Sequence, residues 1–296
     1  MKLSLWTLAV LAPLTLVLPT AARADDVADN DAAVDATPVA VAAKTPEFSQ
    51  GILFPHSILD RALARAIDKN GTVDYVALKG DKDLAQYIQA TATADLSLFP
   101  TWEIEAGTKD KNAKPKIDRS AELVFWINAY NAHVLKTLSD AYPLDSPDEI
   151  KDFDTAKTHR VAGKDYSFAE MREKIIAFDP RALFALTDGT LGGPMLALTA
   201  YRFRDIDLTL NSAANTFVND DRNVSVERIA NKVTISDYFS AANAPFTPLG
   251  ERRKMAGVRL LLSAYTDKRG QRAYFTANDY QIILKPRDRK LNIKTK

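Results

Sequence analysis

The stretch SAELVFWINAYNAHVLKTLSDA, Ser120 to Ala141, decides the fold. Its 22 residues contain neither glycine nor proline. Leu123, Trp126, Ile127, Tyr130, Val134, Leu135 and Leu138 recur at helical spacing and make a broad apolar face. The pattern predicts a long central helix against which shorter elements pack, and so a helix-dominated body.

Upstream, Ser57 is placed to cap a helix whose Ile58, Leu59, Ala62, Leu63, Ala66 and Ile67 share a face, with Asn70-Gly71 as a left-handed stop. Thr72 to Leu78 alternates Val73, Tyr75 and Ala77 against polar neighbours and is predicted to be extended. A helix follows from about Lys82 to Ala92, and the polar run from Lys109 to Lys116 reads as an exposed loop. Downstream, His159 to Tyr166 reads as a hairpin turning at Gly163. Ser167-x-x-Glu170 is a capping box opening a further helix, which Asp179-Pro180-Arg181 breaks. Ala182 to Leu186 is a short apolar segment of either type, and Asp188 to Pro194 holds three glycines and a proline, a loop composition. Helices are predicted from Pro194 to Tyr201, Asp205 to Asn219 and Arg252 to Ala264. Between the last two stand a hairpin at Asn223 to Ile235 and a short helix capped by Ser236 and holding Tyr238 and Phe239. With no internal repeat or linker, the economical fold is α+β, one helix-dominated domain with short β-hairpins.

The 296 residues, 46% of them hydrophobic and 26% charged, suit a folded body with a sizeable core. The 39 Lys and Arg balance 38 Asp and Glu, so no global field recruits nucleic acid. The absence of cysteine excludes disulfides, thiolate metal sites and thiol nucleophiles. Met1-Lys2, the apolar run from Leu3 to Leu18 and Ala22-Arg23-Ala24 describe a signal peptide cleaved after Ala24. Pro13 and Pro19 interrupt that run, and no later segment is apolar enough to span a bilayer. Cleavage removes Lys2 and Arg23 and takes the formal charge from +1 to −1. The Ala-, Asp- and Val-rich residues 25–50 read as a disordered acidic tether ahead of a domain at 51–296. The expected destination is the periplasm or the exterior.

Phe125-Trp126-Ile127-Asn128-Ala129-Tyr130-Asn131-Ala132, taken with Gly71-Thr72-Val73-Asp74-Tyr75, resembles the family called domain of unknown function 547. Val161-x-Gly163 with Tyr166-Ser167, Asp179-Pro180-Arg181, Phe184-Ala185-Leu186, the loop ending in Pro194 and Asp288-x-x-Leu291-Asn292 agree, so the resemblance runs from about Gly51 to Asn292. It implies a histidine shortly after the hairpin and a pair of cysteines in the loop before the proline, a set suited to thiol chemistry. By spacing, those positions fall on Glu173, Asp188 and Gly193, so this chain resembles a divergent member without the thiol.

Two readings of the remaining polar residues follow. Asp188 and Glu173 are candidate catalytic residues, a carboxylate pair of the kind that hydrolyses glycosides, or else a turn cap and a solvated helix residue. Asn128, Tyr130, Asn131, Gly189 and Thr190 are the candidate ligand-binding residues; the two asparagines either orient a ligand or satisfy backbone in the loops around Gly163 and Gly189, and the backbone role is favoured. His56, His133 and His159 lie in separate segments without metal-ligand spacing, so no metal or cofactor is implied. Gly189-x-x-Gly192-Gly193 lacks the context of a phosphate loop. Lys285, Arg287, Arg289, Lys290, Lys294 and Lys296 read as a solvated basic tail. The functional expectation is an exported, non-catalytic envelope protein that binds an envelope component or a small molecule in the family cleft. The alternative is a hydrolase working through Asp188 and Glu173.

Overall fold

The computed structural model describes residues 53–104, 116–277 and 279–294. The expected signal peptide, the acidic tether and the predicted loop at 109–116 lie outside them, except for Lys116, which is extended. Helix α1 (Ser57–Ala66) is followed by the single turn α2 (Tyr75–Leu78) and by α3 (Lys82–Ala92). Strands β1 (Trp102–Ile104) and β2 (Lys116–Asp118) pair antiparallel and lead into α4 (Ser120–Ala141). The hairpin β3 (His159–Val161) and β4 (Lys164–Tyr166) precedes α5 (Phe168–Phe178) and a 3-10 turn at Pro180–Ala185. After an irregular stretch come α6 (Ile206–Asn219), β5 (Val224–Glu227), β6 (Lys232–Ser236), α7 (Phe239–Phe246), α8 (Ala256–Tyr265), α9 (Gln271–Ala277) and β7 (Gln281–Lys285). In the last sheet β6 is central, antiparallel to β5 and parallel to β7. The class is α+β and helix-dominated.

Helix α4 has the predicted bounds, but more than one apolar face is covered. Every residue from Ala121 to Leu135 is buried, as expected of a helix through the middle of a core. It packs on α2, α3 and α5, and it stops before Pro143, which disfavours helical geometry at Tyr142. Trp126, Ile127, Val134 and Leu138 join one hydrophobic cluster with α1, α3 and α5, while α7, α8, α9 and the last sheet enclose a second. Helix α6 joins the two, giving Ile206 and Leu210 to the first and Ala214, Phe217 and Val218 to the second.

Several local expectations are corrected. At 72–78 the alternation loses to a cap: the Asp74 carboxylate accepts from Ala77 N (2.9 Å) and winds α2, leaving Val73 alone extended between Ile67 and Ile293. Ser57 is the first helical residue rather than the cap, and α1 ends at Ala66, before Asn70-Gly71. The helix predicted at 194–201 is irregular. There Ala200 N donates to Asp60 Oδ1 (2.8 Å) and Tyr201 N to Asn128 Oδ1 (2.9 Å), so side chains of α1 and α4 take the donors a helix would use. Helix α8 begins at Ala256 rather than Arg252, because Glu251 Oε1 accepts from the backbone N of both Arg252 and Arg253 (2.8 Å each) in a turn before it. Ser236 accepts from Tyr238 N, but α7 starts at Phe239 with Tyr238 as the cap residue. No element was expected beyond Ala264, where α9 and β7 complete the second cluster.

Candidate functional site

The site is built where the middle of α4 meets the loop 187–193. Asn131 clamps the chain entering that loop: its Nδ2 donates to Ala185 O (2.9 Å) and its Oδ1 accepts from Thr187 N (2.9 Å). Asn128, one turn earlier, does the same to the irregular stretch, accepting from Tyr201 N (2.9 Å) and donating to Tyr201 O (3.0 Å). These two bonds fix which end of the amide is nitrogen, and its other N–H meets His56 Nδ1 (3.1 Å). Tyr87 Oη lies 2.8 Å from the same ring atom. Because the amide donor requires a lone pair there, Nδ1 carries no proton and the ring proton sits on Nε2. Burial, with Arg202 nearby, lowers the His56 pKa to about 3.

In the loop, Thr187 Oγ1 accepts from Gly189 N (3.1 Å), and Gly189 has φ +75° with its Cα pressed on Leu138: a Cβ would stand 2.2 Å from Cδ1 of that leucine. Asp188 Oδ1 accepts from Thr190 N (3.0 Å) and Thr190 Oγ1 (2.6 Å), an Asx turn within its own loop. Asp188 Oδ2 meets Arg287 Nη2 (3.1 Å) and Arg289 Nη1 (3.4 Å). Position 193 faces this carboxylate so closely that a Cβ there would fall 2.1 Å from Asp188 Oδ1. The two places that the resemblance assigns to cysteines thus oppose each other across one tight turn, and glycine is the residue that leaves room for the aspartate.

Of the basic residues expected to form a solvated tail, Arg287 and Arg289 are engaged instead, while Lys290 and Lys294 are exposed and Lys296 lies outside the described residues. Arg287 also pairs with Asp237 (3.1 Å) and lies over the Tyr238 ring (5.3 Å), and Arg289 pairs with Asp148. Their backbone runs alongside the loop: Leu191 N donates to Lys290 O (2.8 Å), Gly192 N to Asp288 O (2.9 Å) and Asn292 N to Gly189 O (2.9 Å). Sequence reading misses these partners because 101 residues separate Asp188 from Arg289.

The candidate residues are not all brought together. Asn131, Asp188, Gly189 and Thr190 come together at the loop, whereas Asn128 turns to Tyr201 and His56, and Tyr130 to Arg172. Glu173 stands exposed on α5 and makes no hydrogen bond with Asp188; the α5 residue that reaches inward is Arg172, donating to Tyr130 Oη (3.3 Å) and pairing with Asp154 (2.5 Å). Burial raises the Tyr130 hydroxyl pKa to about 12. Asn128, Asn131, Tyr130 and Thr190 are all buried, and the space beside the two asparagines, walled by Leu59, Leu135 and Tyr201, amounts to about 10 Å³, room for one water. His133 and His159, far apart in sequence, bring their rings to 5.3 Å, edge to face. No group of three or more potential metal ligands occurs among the described residues.

A search of curated proteins and a search of solved structures returned no match to this chain. The family comparison did: residues 115–218, from β2 through α6, match the model described as "Protein of unknown function, DUF547". That span holds α4, the hairpin, the Asn128 and Asn131 clamps and the Asp188 loop, and over it the chain is similar to that family.

Proposed function

We propose that this protein is an exported, non-catalytic component of a bacterial cell envelope that acts by binding or scaffolding. The observation that carries the reading is the state of Asp188. Its carboxylate is engaged by Thr190 and by two guanidinium groups, and its expected partner Glu173 is elsewhere, so the loop serves as a fixed joint between α4 and the C-terminal segment. Acid/base hydrolysis needs two carboxyl groups flanking one substrate bond, with room for water or sugar between them. Export is supported by the charge, apolar run and small-x-small end of residues 1–24.

The test is Asp188→Asn beside the wild type in a screen of chromogenic glycosides and esters. The expected result is no turnover by either chain and a loss of about 1–3 kcal/mol in stability from the weakened ion pairs. Hydrolysis by the wild type that disappears in the variant overturns the reading. Mass spectrometry of the protein from a periplasmic fraction should give a chain starting at Asp25; an unprocessed chain in the cytoplasm refutes export.

A further inference from the structure

A second concavity lies toward the N-terminal end of α4, where Ala121 and Val124 line it. It has a volume of about 340 Å³, within the range of small-molecule sites. Its walls are apolar: Phe54, Phe99, Val124 and Phe203 line it, with Phe54 and Phe99 propped edge-on against Phe125 (4.9 and 5.1 Å) and Phe203 stacked on Trp102 (4.9 Å). His56 and Arg202 enter the same space, and Ser57 also lines it.

His56 is more than nine-tenths buried, and both partners of its ring sit at Nδ1. Its protonated Nε2 has no acceptor among the described residues. The histidine therefore presents a neutral N–H donor to the cleft and, with its proton already in place there, is no base. Arg202 spends Nη1 on the carbonyls of Ala200 (2.9 Å) and Tyr201 (3.2 Å) and Nη2 on Asp60, which leaves Nε–H without a protein acceptor among the described residues. The polar end thus offers two spare donors and one guanidinium charge partly offset by Asp60. That is complementary to a single negative charge with acceptor oxygens, and too weak in charge for a dianion such as a phosphate monoester.

We propose that this cleft binds a monocarboxylate with an apolar body, a medium-chain fatty acid or similar acyl acid, its carboxylate on His56 Nε2–H and Arg202 and its hydrocarbon among Phe54, Phe99, Val124 and Phe203. The proposal gives the binding function a place and rests on that reading. It assigns Asn128 a positioning role, since that amide sets which histidine nitrogen faces the ligand.

The experiment is calorimetric titration of the full chain with sodium octanoate, 1-octanol and sodium acetate, repeated on Arg202→Gln and Phe203→Ser. Saturable one-site binding of octanoate is expected, with acetate too short to bind. Arg202→Gln should bind octanoate about tenfold more weakly while leaving octanol unchanged, and Phe203→Ser should weaken both. Should Arg202→Gln fail to fold, the ¹⁵N resonance of His56 Nε2 in the wild type takes its place and must shift on adding octanoate but not acetate. Absence of saturable octanoate binding, equal binding by wild type and Arg202→Gln, or an unmoved His56 resonance overturns the proposal. Any of these would leave the Asp188→Asn result, and with it the non-catalytic reading, untouched.

Discussion

Replacing Asn131 by alanine strands two buried backbone groups at once, the Ala185 carbonyl and the Thr187 N–H. Each unmade bond costs about 1–3 kcal/mol, so Asn131→Ala is expected to lose about 2–6 kcal/mol in urea denaturation with an unchanged slope. A loss below about 0.5 kcal/mol would mean that the loop finds other partners and that the clamp is dispensable. At Asn128 the consequence is chemical as well as structural, because that amide dictates the tautomer of His56. Ring ¹⁵N spectra should show Nδ1 unprotonated and Nε2 protonated from neutral pH down to about 5; a protonated Nδ1 in that range contradicts the assignment. Both asparagines were visible in sequence as polar residues in an apolar helix. Their partners were not, because a side-chain bond to backbone 54 or 73 residues away leaves no local pattern.

Individual elements were legible where a local rule was strong and unopposed. The helix from Ser120 to Ala141, the hairpin around Gly163 and the box at Ser167 and Glu170 came out with the right bounds, since period, turn and cap all act within a few residues. In the box, Ser167 Oγ accepts from Glu170 N (3.1 Å) while the Glu170 carboxylate accepts from Ser167 N (3.0 Å). Ser167→Ala should therefore cost about 1–2 kcal/mol, read as a fall in the urea midpoint, and Ser167→Thr should restore most of it. Residues 194–201 went the other way. Their composition permits a helix, but Asp60 and Asn128 reach in from α1 and α4 to take the Ala200 and Tyr201 N–H groups, and tertiary bonds of that kind override a weak propensity. Strand β7 was illegible for a related reason: its pairing is parallel to β6, with α7, α8 and α9 lying between the two in sequence.

Across the molecule the three histidines share one condition. His56, His133 and His159 are all buried, and burial is the main cause that lowers their pKa values to about 3, 3 and 4. The unfolded chain takes up these protons near the ordinary value of about 6.5, whereas the folded chain refuses them until the lower pH, so stability is full above about 6.5 and drains away as pH falls toward 4. Each histidine is expected to withdraw about 1–2 kcal/mol at pH 5, giving a clear drop in urea midpoint; an unchanged midpoint would show that the three rings are charged, or equally accessible, in both states. The composition hinted at none of this, since the burial of a histidine follows only once α1, α4 and β3 are assembled.

The C-terminal segment ties together places that synthesis keeps far apart. Tyr75 Oη donates to Asn292 Oδ1 (2.5 Å) across a separation of 217 residues, and Val73 N donates to Asn292 O (2.9 Å). Closing loops of that length is slow, because their entropy must be spent before the contacts return anything. Helices α1 to α5 can gather early from nearby contacts. The seam between Val73, Gly189 and Asn292 closes only once residue 292 has come back to residue 73, so on the polypeptide's own clock the Asp188 joint follows the helices it fastens.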